Sequence, residues 1–314
     1  MNNFFWKKKP KKKVNQKPKP KKSVSVPSKP IPVFEPKPFV PPEKATPFVQ
    51  PAMPKKVSTP VPLKKPDIEK DFLGTFEELT QRHRAWEVWR DFIVMSACSI
   101  SNSLDKSHYD EREARYMKAI KKYNKQEQQL FPKLFAYMVL ALEENPEQDF
   151  LGHIFMLLEL EDKRRQQFFT PYNICQLMSS IVMEDVAERV REEGYITIND
   201  CCCGAGATLI ASIHEARRKL EKEKLNFQNH ILVAAQDIDE TVALMCYIQL
   251  SLLGVAAYVK VGNSITEPMT ADDNLDNYWF SPMYFSSVWS MRRAIHEMDA
   301  LFQKGEHHAN YSDK

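Results

Sequence analysis

The stretch Tyr-Ile-Thr-Ile-Asn-Asp-Cys-Cys-Cys-Gly-Ala-Gly-Ala, residues 195–207, decides the fold of this chain. A short alternating apolar run ends in Asp200, and a Gly-x-Gly turn at 204–206 leads into the helix-forming run Thr-Leu-Ile-Ala-Ser-Ile. Glycines let the backbone approach a ligand closely, and the helix N-terminus that follows favours a carboxylate or a phosphate. This order of strand, loop and helix is typical of sheets that bind nucleotide-like cofactors, although the third glycine of the dinucleotide fingerprint is absent.

The residues around this loop alternate between helix and strand. Strand patterns at 195–199, 230–235 and 256–261 are interleaved with helical patterns at 174–193, 207–222 and 239–253. Strands separated by helices of this length predict a parallel sheet with right-handed crossovers, and such sheets bind ligands at the carboxyl ends of their strands. The glycine loop, Asp237 and Asn263 all fall at strand ends, so we expect them to share one edge of the sheet.

Residues 1–66 differ in composition from the rest. They contain 17 lysines, no arginine, two acids and 16 of the 21 prolines, which gives a local charge of +15. Because the whole chain carries +3, residues 67–314 carry −12. Such a segment cannot bury enough apolar surface to offset its chain entropy, so it is predicted to be disordered. It is either a solvated tail that maintains solubility or a polyanion-seeking arm, since clustered lysines attract nucleic acid in a salt-dependent way.

The composition argues against several classes of protein. No stretch approaches the ~18 consecutive apolar residues of a membrane span, and the N-terminus lacks the apolar core of a secretory signal. The six cysteines include three in a row at 201–203, which fits neither a disulfide framework nor the usual zinc spacing. The sequence therefore predicts a reduced, cytoplasmic protein with no membrane partner and no structural metal.

Residues 67–165 have the pattern of a helical region. Apolar residues recur at helical spacing in two runs, which are Phe76, Leu79, Trp86, Trp89, Phe92 and Ile93, then Phe131, Leu134, Phe135, Met138, Val139 and Leu142. Core packing is the preferred interpretation of these side chains over a base-stacking surface. The predicted organisation is thus a disordered tail at 1–66, a helical region at 67–165 and a Rossmann-like α/β domain at 166–314.

Four blocks between residues 149 and 239 resemble the N6-adenine DNA methyltransferases related to the methylation subunit of type I restriction-modification systems. They are Asp-Phe-Leu-Gly-His-Ile-Phe-Met-Leu-Leu-Glu (149–159), Gln-Phe-Phe-Thr-Pro (167–171), Asp-Cys-Cys-Cys-Gly-Ala-Gly (200–206) and Ala-Gln-Asp-Ile-Asp (235–239). Their order and spacing make the match more specific than any one block. The helical region is also similar to that of phage- and mobile-element-encoded relatives. The resemblance implies an S-adenosylmethionine-binding domain that methylates DNA at adenine N6.

The resemblance and the strand-end argument together assign the cofactor contacts. They imply that S-adenosylmethionine binds at Phe169, Thr170, Pro171, Asp200, Cys203, Gly204, Gly206, Asp237 and Asn263. Backbone N–H groups of residues 203–207 would receive the methionine carboxylate, and Asp237 would accept from the ribose hydroxyls. Considered alone, Thr170-Pro171 also fits a helix start with Thr170 as its cap, and Asp237 fits a solvated loop acid.

The base-binding group is predicted at Ser281, Pro282 and Tyr284. The family carries an Asn/Asp/Ser-Pro-Pro-Tyr/Phe turn after its fourth strand, and the nearest match here is Ser-Pro-Met-Tyr at 281–284. Ser281 would accept from the amine, Pro282 would lend its carbonyl, and Tyr284 would stack on a base flipped out of the duplex. Met283 replaces the second proline, and a serine in first position also fits amino-cytosine methylation. The alternative is that 278–285 is an aromatic-rich core strand.

The residues after this turn predict a sheet truncated at its C-terminal side. Only 30 residues follow Tyr284, and 287–302 has the pattern of one amphipathic helix. The first hypothesis is an S-adenosylmethionine-dependent DNA methyltransferase, specific for adenine N6. The second is a catalytically incomplete cofactor- or DNA-binding accessory protein that needs a partner chain, for example for target recognition. An RNA or protein methyltransferase with the same cofactor half is a third hypothesis.

Overall fold

The sheet of this protein has four strands in the order β1-β2-β3-β4, which are Ile196–Asp200, Ile231–Asp237, Ala256–Val261 and Tyr278–Phe280. The structure, a computed structural model, describes residues 67–160, 169–296 and 298, and all of them belong to one compact unit. The predicted tail at 1–66 and the predicted boundary between 165 and 166 lie outside the described residues. β1, β2 and β3 are parallel, and β4 is antiparallel to β3.

Helices make up most of the remaining chain. The helices α1 to α8 precede the sheet and are Ile68–Thr80, Ala85–Leu104, Tyr109–Ile120, Lys125–Gln128, Leu130–Glu144, Phe150–Leu157, Tyr172–Val182 and Val186–Glu193. The helices α9 to α11 connect the strands and are Ala207–Lys222, Phe227–His230 and Glu240–Leu252, and residues 287–296 form a last helix, α12. None of the described helices combines the length and the apolar character needed to cross a membrane.

The predicted alternation of strand and helix is confirmed from β1 to β3. α9 and β3 have the predicted bounds, and β1, β2 and α11 differ from theirs by one or two residues. The helix predicted at 174–193 is instead two helices, α7 and α8, separated by a turn at 183–185. The turn allows Met183, Val186 and Val190 to be buried together in the core. The helix predicted at 287–302 is confirmed as far as residue 296.

The direction of β4 corrects the expectation of a wholly parallel sheet. A parallel return needs a crossover of a dozen or more residues, usually a helix. Residues 262–277 contain no helix, so the chain turns back along β3, with Lys260 opposite Tyr278 and Tyr258 opposite Phe280. The end of β4 therefore lies at the amino end of β3. The glycine loop and Asp237 lie at the opposite end of the sheet, where the parallel strands have their carboxyl ends.

Both faces of the sheet are covered. Ile231, Val233 and Ala235 point into a large core that continues through the helical region. Leu232 and Ala234 point to the other face, into a smaller cluster that also contains Tyr258, Tyr278, Phe280, Tyr284 and Trp289. The helical runs read from the sequence belong to the large core, in which Phe76, Leu79, Trp89, Phe92, Ile93, Phe131, Leu134, Met138 and Leu142 are buried. Packing is thus confirmed as their role, with Trp86 more exposed than expected.

β1 is an edge strand of the sheet. Among the described residues, no strand pairs with its outer edge, which we call the bare edge. α7 packs on α9 through Cys175 and Ser179. Its opposite face is apolar and 43 to 69% exposed, and consists of Ile174, Leu177, Met178, Ile181 and Val182. α8 follows α7 directly and contacts β1.

A buried arginine joins the helical region to β4. Arg112 on α3 donates to the Asp105 carboxylate at 2.7 Å and to the Tyr278 carbonyl at 2.6 Å, and it stacks 4.1 Å from the Trp279 ring centre. Burial alone would raise the pKa of Asp105, but the hydrogen bond from His108 and the charge of Arg112 help to hold it well below its ordinary value. The carboxylate is therefore charged and depends on these partners.

We expect Arg112→Met to lower the free energy of unfolding by about 3–5 kcal/mol, because it leaves the Asp105 carboxylate buried without its main counter-ion. Urea denaturation followed by circular dichroism measures this loss. Arg115→Met is the control, since Arg115 also lies over Trp279 but is 30% exposed, and its partner Glu240 is 44% exposed. Its loss should stay below about 1 kcal/mol. Equal losses from the two substitutions would contradict the role of Arg112.

Candidate functional site

The two glycines of the loop after β1 have backbone conformations that other residues adopt only with strain. Gly204 has a φ of +52° and Gly206 a φ of +97°. A Cβ on Gly206 would lie 2.9 Å from the Cys246 sulfur on α11, and one on Gly204 would lie 3.4 Å from the Phe169 ring. The Gly-x-Gly pattern is therefore required by the turn and by the close approach of α11.

Asp200 and Cys203 shape the start of the loop. The Asp200 carboxylate accepts a hydrogen bond from the Cys202 amide at 3.1 Å, which turns the chain at the end of β1. The Cys203 amide donates to the Gln236 carbonyl on β2 at 3.0 Å. Both residues thus hold the loop in position, Asp200 through its side chain and Cys203 through its backbone.

Asp237 joins the ends of β1 and β2. Its Oδ2 accepts a hydrogen bond from the Gly204 amide at 2.9 Å, and its Oδ1 accepts one from the Asp239 amide at 3.0 Å. Burial raises the pKa of Asp237, and the two amide bonds act in the opposite direction. Because each carboxylate oxygen has two lone pairs, both oxygens can accept a further bond. Asp237 is thus a support of the loop and a candidate ligand at the same time.

The helix α9 begins at the loop with unpaired amides. Its N-cap is Gly206, which offers no side chain, and the first helical bond runs from the Ile210 amide to the Gly206 carbonyl at 2.8 Å. The amides of residues 207–209 therefore have no partner within the helix. The positive end of the helix dipole lies at the loop, where it suits a carboxylate.

Residues 169–171 lie against the start of α9. The Cys175 thiol contacts both the Thr170 carbonyl and the Thr208 hydroxyl, each at 3.7 Å. Pro171 is the N-cap residue of α7, so the interpretation of Thr170 as the cap is wrong. The exposed Thr170 side chain is left for another contact at this edge. The structure therefore brings Phe169, Thr170 and Pro171 to the loop.

Asn263 lies just after the carboxyl end of β3, and its side chain is hydrogen-bonded within its own loop. Its Oδ1 accepts hydrogen bonds from the Ile265 amide at 2.9 Å and the Thr266 amide at 3.3 Å. The neighbouring Gly262 amide donates to the Asp237 carbonyl at 2.9 Å. Asn263 thus stands beside Asp237 and two strands away from the glycine loop.

Ser281, Pro282 and Tyr284 do not lie at this edge. The Ser281 hydroxyl is fully buried, donates to the Val255 carbonyl at 2.6 Å and accepts from the Ala257 amide at 2.8 Å. These groups are at the amino end of β3, about 13 Å of strand from its carboxyl end at roughly 3.3 Å per residue. The structure thus corrects the prediction that this turn shares a site with the loop, and the cause is the antiparallel return of β4.

The turn at 281–284 has a packing role instead. Pro282 opens a short 3₁₀ turn, and the Tyr284 ring lies 4.8 Å from Phe280 and 6.1 Å from Tyr258 between ring centres. Arg293 on α12 stacks on the Tyr284 ring at 4.0 Å. This corresponds to the alternative interpretation, an aromatic-rich core segment.

Sequence reasoning missed Gln249, which holds the loop from inside the fold. This α11 residue is fully buried, and its side-chain nitrogen donates to the Ala205 carbonyl at 2.9 Å and to Asp149 Oδ1 at 2.8 Å. Its side-chain oxygen accepts from the Leu151 amide at 3.1 Å. The only signal in the sequence is a lone glutamine within the apolar run of α11.

Two exposed isoleucines near the carboxyl ends of the strands were also not predicted as site residues from the sequence. Ile238 is 69% exposed beside Asp237, and Ile265 is 89% exposed beyond Asn263. Binding sites combine apolar walls with a few polar groups that fix orientation. These side chains are candidates for such walls.

Of the three loop cysteines, Cys203 is buried, while Cys201 and Cys202 are exposed. Contact with the Cys246 thiol and burial raise the pKa of Cys203, and burial with the nearby Asp200 charge raises that of Cys202. Because the thiolate is the reactive form, both shifts disfavour nucleophilic chemistry. Within the described part of the chain, no three His, Cys, Asp or Glu side chains are grouped to hold a metal ion.

Residues 146–313 match the family model of the N-6 DNA methylases, which is more than half of the chain. This chain belongs to the N-6 DNA methylase family. The matched region begins just before Asp149 and includes the glycine loop, Asp237 and the turn at 281–284. No curated protein matches the chain. The family predicted from the four sequence blocks is therefore confirmed.

We expect Gly206→Ala to lower the free energy of unfolding by about 1–3 kcal/mol, because the left-handed φ and the contact with Cys246 both oppose the new methyl group. Gly74→Ala is the matched control. It adds the same methyl group within α1, where nothing lies within 4 Å, and should stabilise the protein by about 0.5–1 kcal/mol. Chemical denaturation compares the two variants, and a loss of equal size in both would count against this loop geometry.

We expect Ser281→Ala to lower the free energy of unfolding by about 1–3 kcal/mol, since two backbone groups lose their hydrogen-bond partner in the core. Ligand affinity at the glycine loop should stay within about twofold, because the two sites are far apart. Calorimetric unfolding and binding titrations measure the two effects. Ser180→Ala, which changes an exposed hydroxyl on α7, should alter stability by less than about 0.5 kcal/mol. A selective loss of ligand affinity in Ser281→Ala would return this turn to the site.

Proposed function

We propose that this chain binds S-adenosylmethionine at the loop after β1 and acts in the methylation of adenine N6 in DNA. The proposal rests on the hydrogen bond from the Gly204 amide to Asp237 Oδ2. It brings a left-handed glycine turn, a helix N-terminus and a carboxylate together at adjoining strand ends. Nucleotide-like cofactors bind to this combination in parallel sheets. Membership of the N-6 DNA methylase family supports the choice of a methyl donor.

The proposed cofactor contacts follow from the chemistry of each group. The amides that open α9 and the nearby Thr170 hydroxyl would hold the methionine carboxylate. Asp237 would accept from the ribose hydroxyls, and Ile238, the exposed apolar side chain next to it, would pack against the adenine ring. The bound cofactor supplies a methyl group on a positively charged sulfur. The protein's part is to orient that methyl group toward the acceptor amine.

The ribose contact gives the proposal a pH dependence. Asp237 accepts hydroxyl protons best when it is ionised, and burial raises its pKa above the ordinary value. Lowering the pH protonates the carboxylate, so affinity should fall on the acid side. The fall should begin at a higher pH than an unperturbed aspartate would give.

A second candidate function is a partner-dependent cofactor-binding subunit. Methyl transfer needs groups that hold the acceptor amine near the loop, and the turn at 281–284 lies at the opposite end of the sheet. In doubly wound sheets the binding crevice lies between the first strand and its neighbour on the other side, where the strand order reverses. Here that neighbour's position is bare in the described part of the chain. A partner chain that adds a strand there would complete the crevice.

DNA is the proposed partner of residues 1–66 under both candidates. Their charge of +15 would neutralise phosphates without regard to base sequence. The opposite charge of residues 67–314 makes the tail the main cationic part of the chain.

Asp237→Ala should weaken S-adenosylmethionine binding by about 10- to 100-fold, because it removes a charged acceptor and the support of the Gly204 amide. Isothermal titration calorimetry on the full chain measures the affinity. Asp185→Ala is the control, since the side chain of this α8 N-cap residue makes no capping bond. Unchanged affinity in Asp237→Ala would overturn the cofactor assignment.

Methyl transfer from labelled S-adenosylmethionine to unmethylated genomic DNA separates the two candidates. The nucleosides are identified by mass spectrometry. Labelled N6-methyladenine is the expected product of an autonomous enzyme, and N4-methylcytosine would correct the target base. Cofactor binding without labelled nucleosides would support the partner-dependent candidate. Label in RNA or protein substrates alone would overturn DNA as the substrate.

A further inference from the structure

One corner of the helical region is basic on an otherwise acidic body. Residues 67–314 carry −12, yet five exposed cations lie on two neighbouring segments. Arg82 and Arg84 belong to the loop between α1 and α2, and Lys118, Lys121 and Lys125 to the last turn of α3 and the start of α4. We call these five residues the basic tip.

Specific contacts hold the two segments together. The rings of His83 and Tyr123 lie 4.6 Å apart between centres. Glu127 lies 3.3 Å from the His83 ring nitrogen and 3.7 Å from the Arg82 guanidinium. The Glu127 carboxylate also accepts from the Asn124 amide in the capping box of α4. These contacts hold the two segments of the basic tip in a fixed arrangement.

Two of the acids near the basic tip, Asp91 and Glu127, are engaged in contacts. Asp91 is buried and is held by the Lys122 ammonium at 2.8 Å and by the Tyr123 hydroxyl at 3.0 Å. Glu127 is nearly buried within the contacts just described. Arg84 and the three lysines form no ion pair with any described residue. Glu87, in the first turn of α2, is exposed and adds one negative charge beside these cations, so the summed charge of the basic tip and Glu87 remains positive.

The position of Arg84 is unfavourable for the helix that it precedes. Arg84 is the N-cap residue of α2 and makes no capping bond. Helix N-termini favour oxygen-bearing caps and negative charge, so a cation there is destabilising. The lysines at the end of α3 would suit that helix without any ligand. Arg84 has no such local reason, which favours a role in binding.

A chain of aromatic contacts links the basic tip to the glycine loop. Phe169 packs over Gly204, and its ring centre lies 5.5 Å from that of Phe155. Phe155 lies 6.0 Å from Trp86, which stands two residues after Arg84 at the start of α2. Two ring contacts thus connect Trp86, next to the basic tip, with Phe169 at the loop, and they pass through the fully buried Phe155.

We propose that the basic tip binds the phosphate backbone of the DNA duplex whose base is presented to the glycine loop. The proposal rests on the proposed function for the identity of the polyanion. Phosphate contacts of this kind set the position and orientation of a duplex and carry no base specificity. The basic tip would therefore act alongside the lysine-rich residues 1–66, as a fixed contact beside the cofactor.

The first test uses charge reversal in the full-length chain and a fluorescein-labelled duplex of about 20 base pairs, followed by anisotropy over a range of salt concentrations. The double variant Lys121→Glu/Lys125→Glu should bind roughly tenfold more weakly, and its slope of log K against log salt should be shallower by about 2. The control Lys222→Glu/Lys224→Glu makes the same change in net charge at the far end of α9. Equal losses in the two variants would overturn the proposal, because they would reflect net charge alone.

The second test does not depend on a variant. Lysine acetylation of the native protein, with and without the unlabelled duplex, is read by mass spectrometry. Lys118, Lys121 and Lys125 should be protected by DNA, while Lys222 and Lys224 should react equally in both samples. Absence of protection at the first three residues would overturn the proposal.

The failure of this proposal can be told apart from that of the proposed function. S-adenosylmethionine affinity of the Lys121→Glu/Lys125→Glu variant should equal that of the native chain, since neither lysine touches the loop. Loss of DNA binding with intact cofactor binding is the supporting result. If the native chain binds DNA through the basic tip but binds no S-adenosylmethionine, the proposed function fails and the basic tip remains a DNA contact.

Discussion

The buried side-chain amide of Gln249 is the contact on which the glycine loop and the helical region both depend. Each polar atom of a buried amide needs a partner, and here the partners are the Ala205 carbonyl, the Asp149 carboxylate and the Leu151 amide. One side chain therefore fixes the loop, the N-cap of α6 and the position of α11. The helical region is part of the support of the loop, because the large apolar core runs through both without interruption.

The parts of the fold that local chemistry controls could be predicted from the sequence. Alternating periodicity and the two glycines were sufficient to predict β1 to β3, their helices and the position of Asp237 at a strand end. The direction of β4 and the role of Gln249 depend on contacts between distant residues. A run of residues such as 278–280 reads as a strand in either direction, and only the absence of a helix in 262–277 shows that it turns back.

The direction of β4 also explains why the turn that resembles the family's base-binding motif does not lie at the candidate site. The letters of the turn at 281–284 resemble the base-binding turn of the family, but a turn after an antiparallel strand lies at the opposite end of the sheet. Ser281 is fully buried and is hydrogen-bonded to backbone groups at the amino end of β3, so its hydroxyl is out of reach of an amine at the glycine loop. Under the proposed function, the described residues would supply one half of a methyl-transfer site, the half that holds the donor. The bare edge of β1 is where the other half would adjoin it.

Several features at the glycine loop and in the segments linked to it are better explained by binding than by local stability. Gly204 and Gly206 have left-handed backbones, Ile238 exposes an apolar side chain, and Arg84 places a cation at a helix N-terminus. The exposed isoleucine and the arginine at a helix N-terminus are each unfavourable by the rules that govern the rest of the fold, and natural proteins tend to retain such conflicts at functional sites. The two costs have different origins, in hydration and in electrostatics, whereas the glycines adopt their left-handed conformation without strain. A surface that binds a nucleotide-like cofactor beside a duplex would use all of them, the glycines for close approach, the isoleucine for a ring and the arginine for phosphate.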